Sequence, residues 1–210
     1  ISDASESLIQ TLLSRPRPPL MSSVTLCGTN EECDRVNHQC LNELPGDSKC
    51  YTSSDRGDCI MLDRIAPKVV VLKVGARIIL TTNLNIDLKL VNGRSGVVSS
   101  LGGDVVEVIL DGESNPVTIK KFKFSSPRGS RVQLPLKLSW ARTIHRTQSM
   151  TIKSKVHVVL SKLHQPGQLA VALSRVQCST DLSASGTFQR PPERGEVTAF
   201  YYTMGDDEVG

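Results

Sequence analysis

Aromatic residues are scarce in this chain of 210 residues: one Trp, three Tyr and four Phe, 4% in all. Any core must therefore be aliphatic. No apolar run approaches the roughly 18 residues of a membrane-spanning helix, and no secretory signal is visible at the amino end. The six cysteines, Cys27, Cys33, Cys40, Cys50, Cys59 and Cys178, form no C-x-x-C pair. Cys33, His38 and Cys40 could ligate zinc, but Cys33 and Cys40 fall seven apart on a helix beside Val36, as small buried hydrophobes do. The expectation is no metal site and no disulfide, since a chain of this length needs no staples. That reads as a reducing, intracellular compartment, with nucleus and mitochondrion not separated. No internal repeat is seen. The first residue is Ile1 rather than Met, so a fragment or processed product is expected.

What is present suits a globular domain. Hydrophobic residues make up 39% and charged residues 22%. The 25 basic against 21 acidic residues give a formal charge of +4, which permits a polyanionic partner without requiring one.

An amphipathic stretch with Leu8, Ile9, Leu12 and Leu13 runs into Arg15-Pro16-Arg17-Pro18-Pro19, which breaks helices and stiffens the chain. Val24 to Leu26 reads as a buried strand. Thr29 then caps a helix, with Glu32 three residues on to close a capping box and Pro45-Gly46 to end it. Residues 47–66 are polar and aperiodic, a long loop. Val69 to Leu72 and Ala76 to Thr81 read as strands around Gly75, and Asn92-Gly93 as a tight turn. Gly96 to Ser100, Val105 to Leu110 and Val117 to Phe122, separated by Gly102-Gly103 and Asp111-Gly112, predict a small all-β insertion over 95–133. Leu134 to Trp140 and Val156 to Leu160 return to buried strands, with a helix expected over Ala141 to Gln148. A second helix is expected over Gly167 to Val176, and a short apolar element over Ala199 to Met204. Strands alternating with helices predict a parallel sheet flanked by helices.

Three segments carry chemistry. Leu134 to Thr151 runs a strand into Thr143, His145, Arg146, Thr147 and Gln148, donors suited to phosphates at a strand's carboxyl end, or else to a solvated helix face. In Gly167 to Val176 a single arginine, Arg175, leaves an apolar helix. Its fork fits phosphate oxygens, as in an arginine finger, or it is an arginine at the negative end of a helix dipole. Leu26 to Glu32 turns a strand into a helix amino end, a phosphate cradle or an ordinary cap, with Glu31 and Glu32 opposing an anion.

Jointly these segments resemble the Pif- and RecD-type superfamily-1 DNA helicases. Leu26 to Gly46 resembles the family's TN…N…L…LPG segment. Val74-Gly75-Ala76-Arg77, Asn83-Leu84, Leu90-Val91-Asn92-Gly93 and Gly96 resemble VGA…NL…LVNG…G. Leu134 to Thr151 is similar to LPL..AWA.TIHKSQGMT, and Val171 to Arg175 to VALSR. The resemblance covers roughly residues 8 to 204. It implies an α/β fold: a second RecA-like domain from 1–94 and 134–210, with a small β-barrel inserted at 95–133.

By the same resemblance Arg175 would be the catalytic finger on the γ-phosphate of ATP, with Gln168 and Ser149 lining the nucleotide cleft. Thr29, Asn30, Thr143, His145, Thr147 and Gln148 would grip single-stranded DNA. Asn92 and Gly93 would shape the strand channel, and Lys120, Lys121 and Lys123 would hold a displaced or tracking strand. Ser149 stands where the family has glycine, and Ala170 where it has an aromatic residue. No G-x-x-x-x-G-K-[ST] occurs and no acidic Mg²⁺-binding motif follows a strand, so ATP and Mg²⁺ would be held mainly by an N-terminal RecA-like domain of the same parent protein. The expectation is one half of a 5′-to-3′ unwinding motor, inactive alone. Its rivals are a non-catalytic single-strand-binding module, a degenerate helicase, and a metal-bound interaction domain.

Overall fold

The computed structural model describes residues 3–147, 152, 154–161, 163, 168–176 and 178–187. In chain order the elements are α1 (Asp3–Ser14), β1 (Ser23–Cys27), α2 (Asn30–Glu43), β2 (Lys49–Thr52), β3 (Ser54–Gly57), β4 (Val69–Leu72), β5 (Arg77–Leu80) and β6 (Ser95–Leu101). They continue with β7 (Val105–Leu110), β8 (Pro116–Lys120), β9 (Phe122–Ser126), β10 (Gly129–Gln133), β11 (Leu136–Leu138), β12 (Ala141–Thr143), β13 (Lys155–Val159), α3 (Gln168–Leu173) and β14 (Leu182–Ser185). No described helix is long and apolar enough to cross a membrane. The chain divides into two compact units, residues 1–33 with 142–210, and residues 34–141.

The first unit holds the expected parallel sheet with its helices. The strand order is β12-β1-β13-β14, and β1, β13 and β14 run parallel. Register puts Val24, Val156 and Leu182 in one row and Leu26, Val158 and Ala184 in the next on the same face. Ile9 and Leu12 of α1 and Ala172 of α3 join that face in one aliphatic core. The alternate face is polar though buried. Thr25, His157 and Ser183 form a row across it, and the His157 ring meets Ser183 Oγ at 2.9 Å and Ser185 Oγ at 2.8 Å.

The second unit is β-rich and antiparallel. One sheet runs β11-β5-β6-β7-β8, a second β3-β10-β9, and β2 pairs with β4. The β-structure therefore extends well outside 95–133, because β3 and β5 supply neighbours to β10 and β6. Residues 47–66 are not a structureless loop: they hold β2, β3 and a 3₁₀ turn at Ile60–Leu62. Ser54-Asp55-Arg56-Gly57 has little strand propensity, and its remote partner β10 fixes it as a strand. The stretch Val117 to Phe122 is likewise two strands in different sheets, broken at Lys121. The strands on either side of Gly75 do not pair with each other, since β4 takes β2 and β5 takes β6.

A fully buried arginine organises the three-stranded sheet. Arg131 pairs with both carboxylate oxygens of Asp55 at 2.7 Å, with Asp63 at 2.6 Å and with the Ala66 carbonyl at 2.6 Å. The guanidinium holds the Asp55 carboxyl at about 2, well below the usual carboxylate range. This clamp ties residues 55–66 down over Cys59, Leu62, Ala66 and Phe124.

Two helix expectations change. Ala141 to Thr147 is not helical: it is β12 followed by a 3₁₀ turn at Ile144–Thr147. The β-branched Thr143, Ile144 and Thr147 disfavour a helix, and Ala141–Thr143 finds sheet hydrogen bonds instead. In α2, Thr29 Oγ1 accepts the Glu32 amide at 3.4 Å, which makes half of the capping box. The other half is missing, since the buried Glu32 Oε2 has no partner among the described residues. The element expected over Ala199 to Met204 lies outside the described residues.

Candidate functional site

Arg175 sits just beyond the last turn of α3. That turn tightens as it ends, with the Ser174 amide donating to Ala170 O at 3.0 Å and the Arg175 amide to Ala172 O at 3.3 Å. The half-buried guanidinium folds back over the helix end. Nε donates to Val171 O at 3.1 Å and Nη2 to Ser174 Oγ at 2.6 Å. The first of these contacts satisfies a carbonyl that the helix end leaves over. Nη1 reaches the carbonyl of Thr147 at 3.5 Å, and the Ile152 amide donates to Arg175 O at 2.8 Å. Arg175 thus joins the end of α3 to the segment that follows β12.

Gln168 opens α3 as a buried residue, on the same face as the wholly buried Ala172. Leu169, Leu173 and Val176 are only partly buried against the core. The helix face bearing Gln168 and Ala172, read from the sequence as the one opposite the apolar stripe, is therefore the more buried. Alanine at 172 is small enough to let the helix approach closely.

The residues expected to hold a strand divide by environment. Asn30 and His145 are exposed and Thr29 is partly exposed. Thr143 and Thr147 are buried, and the Thr147 hydroxyl donates to Ile144 O at 2.7 Å, closing the 3₁₀ turn on itself. Thr147 is wholly buried, so its hydroxyl is turned away from any strand in this arrangement. Gln148 and Ser149 lie outside the described residues.

In the second unit Asn92 is exposed, and its amide donates to Asn83 Oδ1 at 2.8 Å. Gly93 takes φ +88° and donates its amide to Leu80 O at 2.9 Å, a turn that a side chain would strain. The three lysines do not form one cluster. Lys121 is paired with Asp104 at 2.8 Å, while exposed Lys120 and Lys123 lie on strands of different sheets.

Residues 58–101 match the family model described as DNA helicase Pif1, 2B domain. The ATP-dependent DNA helicase PIF1 of Danio rerio is 35% identical over 188 residues, which is 84% of this chain and 29% of that protein. A crystal structure of Pif1 helicase from Candida albicans superposes with a TM-score of 0.80 at 28% identity, over 97% of this chain and 54% of that one. Bacteroides Pif1 bound to ssDNA has a TM-score of 0.80 at 22% identity, over 99% of this chain and 51% of that one.

The chain belongs to the Pif1-type superfamily-1 helicases. It corresponds to their C-terminal half and spans about 29% of the length of the curated Pif1 relatives from Danio rerio and Xenopus laevis. Among the Pif1-like segments, Asn37 has a part that the sequence pattern did not reveal. It is buried on α2, its Nδ2 donates to Ala141 O at 3.1 Å, and its Oδ1 accepts the Ala141 amide at 2.8 Å. Asn37 is a positioning residue for the start of β12. An asparagine separated from its partner by over a hundred residues gives no local signal of this. No three His, Cys, Asp or Glu side chains stand together as a metal cage among the described residues.

Proposed function

We propose that this chain is the C-terminal motor half of an ATP-dependent DNA helicase. In this reading Arg175 is brought to the γ-phosphate of ATP held by an N-terminal RecA-like half, and Gln168 and Ser149 border the same cleft. The printed activity of the Danio rerio relative, ATP-dependent DNA helicase, supports the reaction class. The ssDNA in the Bacteroides structure supports a single strand as the track. Thr29, Asn30, Thr143, His145, Thr147 and Gln148 take the strand by its backbone, Asn92 and Gly93 shape its channel, and translocation runs 5′ to 3′.

The observation that carries this reading is the link from Arg175 to the Thr147 carbonyl. One residue responds to a phosphate, the other belongs to the segment assigned to the strand, and a hydrogen bond joins them. The Val171, Ser174 and Thr147 oxygens that Arg175 holds are neutral, and a phosphoryl oxygen makes a stronger charge-assisted bond. Drawing the guanidinium toward a nucleotide would therefore release Thr147. When bound, ATP would supply the γ-phosphoryl group for transfer to water, and Mg²⁺ would neutralise its charge. This chain contributes the arginine, and no magnesium cage is found among its described residues.

With an N-terminal Pif1 half restored, Arg175→Ala should lower the ssDNA-stimulated kcat by roughly a thousandfold, as loss of an arginine finger does. Arg175→Lys should not restore it, because the fork geometry is gone. Thermal unfolding of Arg175→Ala should fall modestly, through the lost contacts to Val171 and Thr147, with both variants still folded at the assay temperature. Undiminished turnover in Arg175→Ala would remove the finger assignment.

A further inference from the structure

The segment 141–147, which carries Thr143, His145 and Thr147, is held at both ends by side chains remote in sequence. At its carboxyl end Arg175 Nη1 reaches the Thr147 carbonyl at 3.5 Å. At its amino end Asn37 takes both backbone groups of Ala141: Oδ1 accepts the amide at 2.8 Å and Nδ2 donates to the carbonyl at 3.1 Å. The N–H and C=O of one strand residue point to the same side, so a single side-chain amide can pair with both. Asn37 does for Ala141 what a neighbouring strand would do. β12 is the end strand of its sheet, with β1 as its neighbour, and an end strand with one partner is free to slip unless something else holds its register.

Asn37 lies among Cys33, Val36, Cys40 and Leu41 on the buried side of α2. A buried amide costs free energy until its donor and acceptor are both paired, and an apolar side chain would fill the same space without that cost. What asparagine adds is placement. α2 opens with Asn30, two turns before Asn37, and β12 reaches Thr143 two residues after Ala141. The bonded pair thus ties the helix that begins at one set of strand donors to the strand that leads into the other. We infer that Asn37 is a positioning residue of the strand grip, setting Thr143 and His145 against Thr29 and Asn30 so that all four meet one DNA backbone. This rests on the strand grip proposed above. Asn37 is the fixed end of 141–147: it is buried and makes two short bonds, whereas the half-buried Arg175 makes one long one to Thr147 and is the end that a nucleotide draws away.

The test titrates a labelled single-stranded oligonucleotide with the whole chain, comparing the parent with Asn37→Leu and Asn37→Asp. Leucine keeps the bulk and loses both bonds; aspartate keeps the acceptor and sets an oxygen against the Ala141 carbonyl. Each should raise Kd roughly tenfold, the effect of losing one contact to a charged phosphate, and hydrogen exchange at the Ala141 amide should quicken in Asn37→Leu. Titrations are run well below each thermal midpoint, where unfolding by itself leaves Kd unchanged. Gln133→Leu is the comparison for a purely structural loss, because Gln133 Nε2 meets the carbonyls of Tyr51, Pro67 and Lys68 in the β-rich unit. Its thermal midpoint should fall while its Kd stays at the parent value. Should Asn37→Leu fail to fold, Asn37→Asp decides the matter, since it keeps one of the two bonds. A parent-like Kd in the Asn37 variants, or an equal rise in Gln133→Leu, overturns the inference and leaves the strand grip standing. A parent chain that does not bind the single strand refutes the grip itself and this inference with it.

Discussion

Burial lowers the pKa of His157 from an ordinary 6.5 to about 4, with the charge of Arg17 adding to the effect. The imidazole lies neutral between Ser183 and Ser185, inside the parallel sheet. A base with a depressed folded pKa takes up protons on unfolding, so it destabilises the fold as pH falls below the unfolded value. The first unit should therefore lose about 3 kcal/mol between pH 6.5 and pH 4, from 1.36 kcal/mol per pKa unit. Urea unfolding at stepped pH measures this loss, and His157→Gln should flatten the dependence; an equal slope in the variant would assign the loss to other groups. Arg131 acts in the opposite sense for its neighbours. It lowers Asp55 to about 2, so the clamp is intact above the ordinary carboxylate value of 3.8 and fails as pH falls toward 2. Arg131→Leu removes the cation that joins Asp55, Asp63 and the Ala66 carbonyl and should lower the thermal unfolding midpoint of the second unit. Arg131→Lys should recover little, because a single ammonium cannot hold both oxygens of Asp55. Neither the neutrality of His157 nor the burial of Arg131 is legible in the sequence.

The hairpin joining β9 to β10 shows how close approach fixes an element. Gly57, at the end of β3, has φ +78°, and a Cβ there would lie 2.5 Å from the Arg128 carbonyl oxygen. Gly46 has a similar φ of +84° with nothing within 4 Å of the added carbon. Gly57→Ala should cost about 2 kcal/mol or more, since strain and a backbone clash act together, while Gly46→Ala should cost about 1. Comparing the two by thermal unfolding isolates the clash; equal losses would mean that β3 shifts freely. β7 stood out in the sequence because Val105-Val106 and Val108-Ile109-Leu110 make it rich in strand-forming residues, and β6 because Val97-Val98 lies between glycine turns. β3 did not, because its pairing is supplied by residues more than seventy positions away. The stretch Ala141 to Thr147 misled for a related reason. Its donors read as a polar helix face, yet the neighbouring strand β1 claims its first residues and a 3₁₀ turn the rest.

For the molecule as a whole, the missing G-x-x-x-x-G-K-[ST] leads to a direct expectation. The chain alone should show no ATPase activity above background, and mixing it with an N-terminal Pif1 half should produce ssDNA-stimulated hydrolysis. Hydrolysis by the chain alone would require a phosphate site that its sequence does not contain. The ordered motifs, the parallel strands and the inserted β-structure could be read from the sequence because they rest on residue type at short spacing. Residue type also determined that Arg175 would leave an apolar helix beside a segment dense in donors. Tertiary structure alone decided which oxygens Arg175 holds, that Thr147 turns its hydroxyl inward, and that Lys120, Lys121 and Lys123 part company. It also decided that Asp55 meets Arg131 from across the sheet. Those outcomes depend on register and burial, which are set when distant strands pair, and no local pattern of side chains encodes the partner across the sheet.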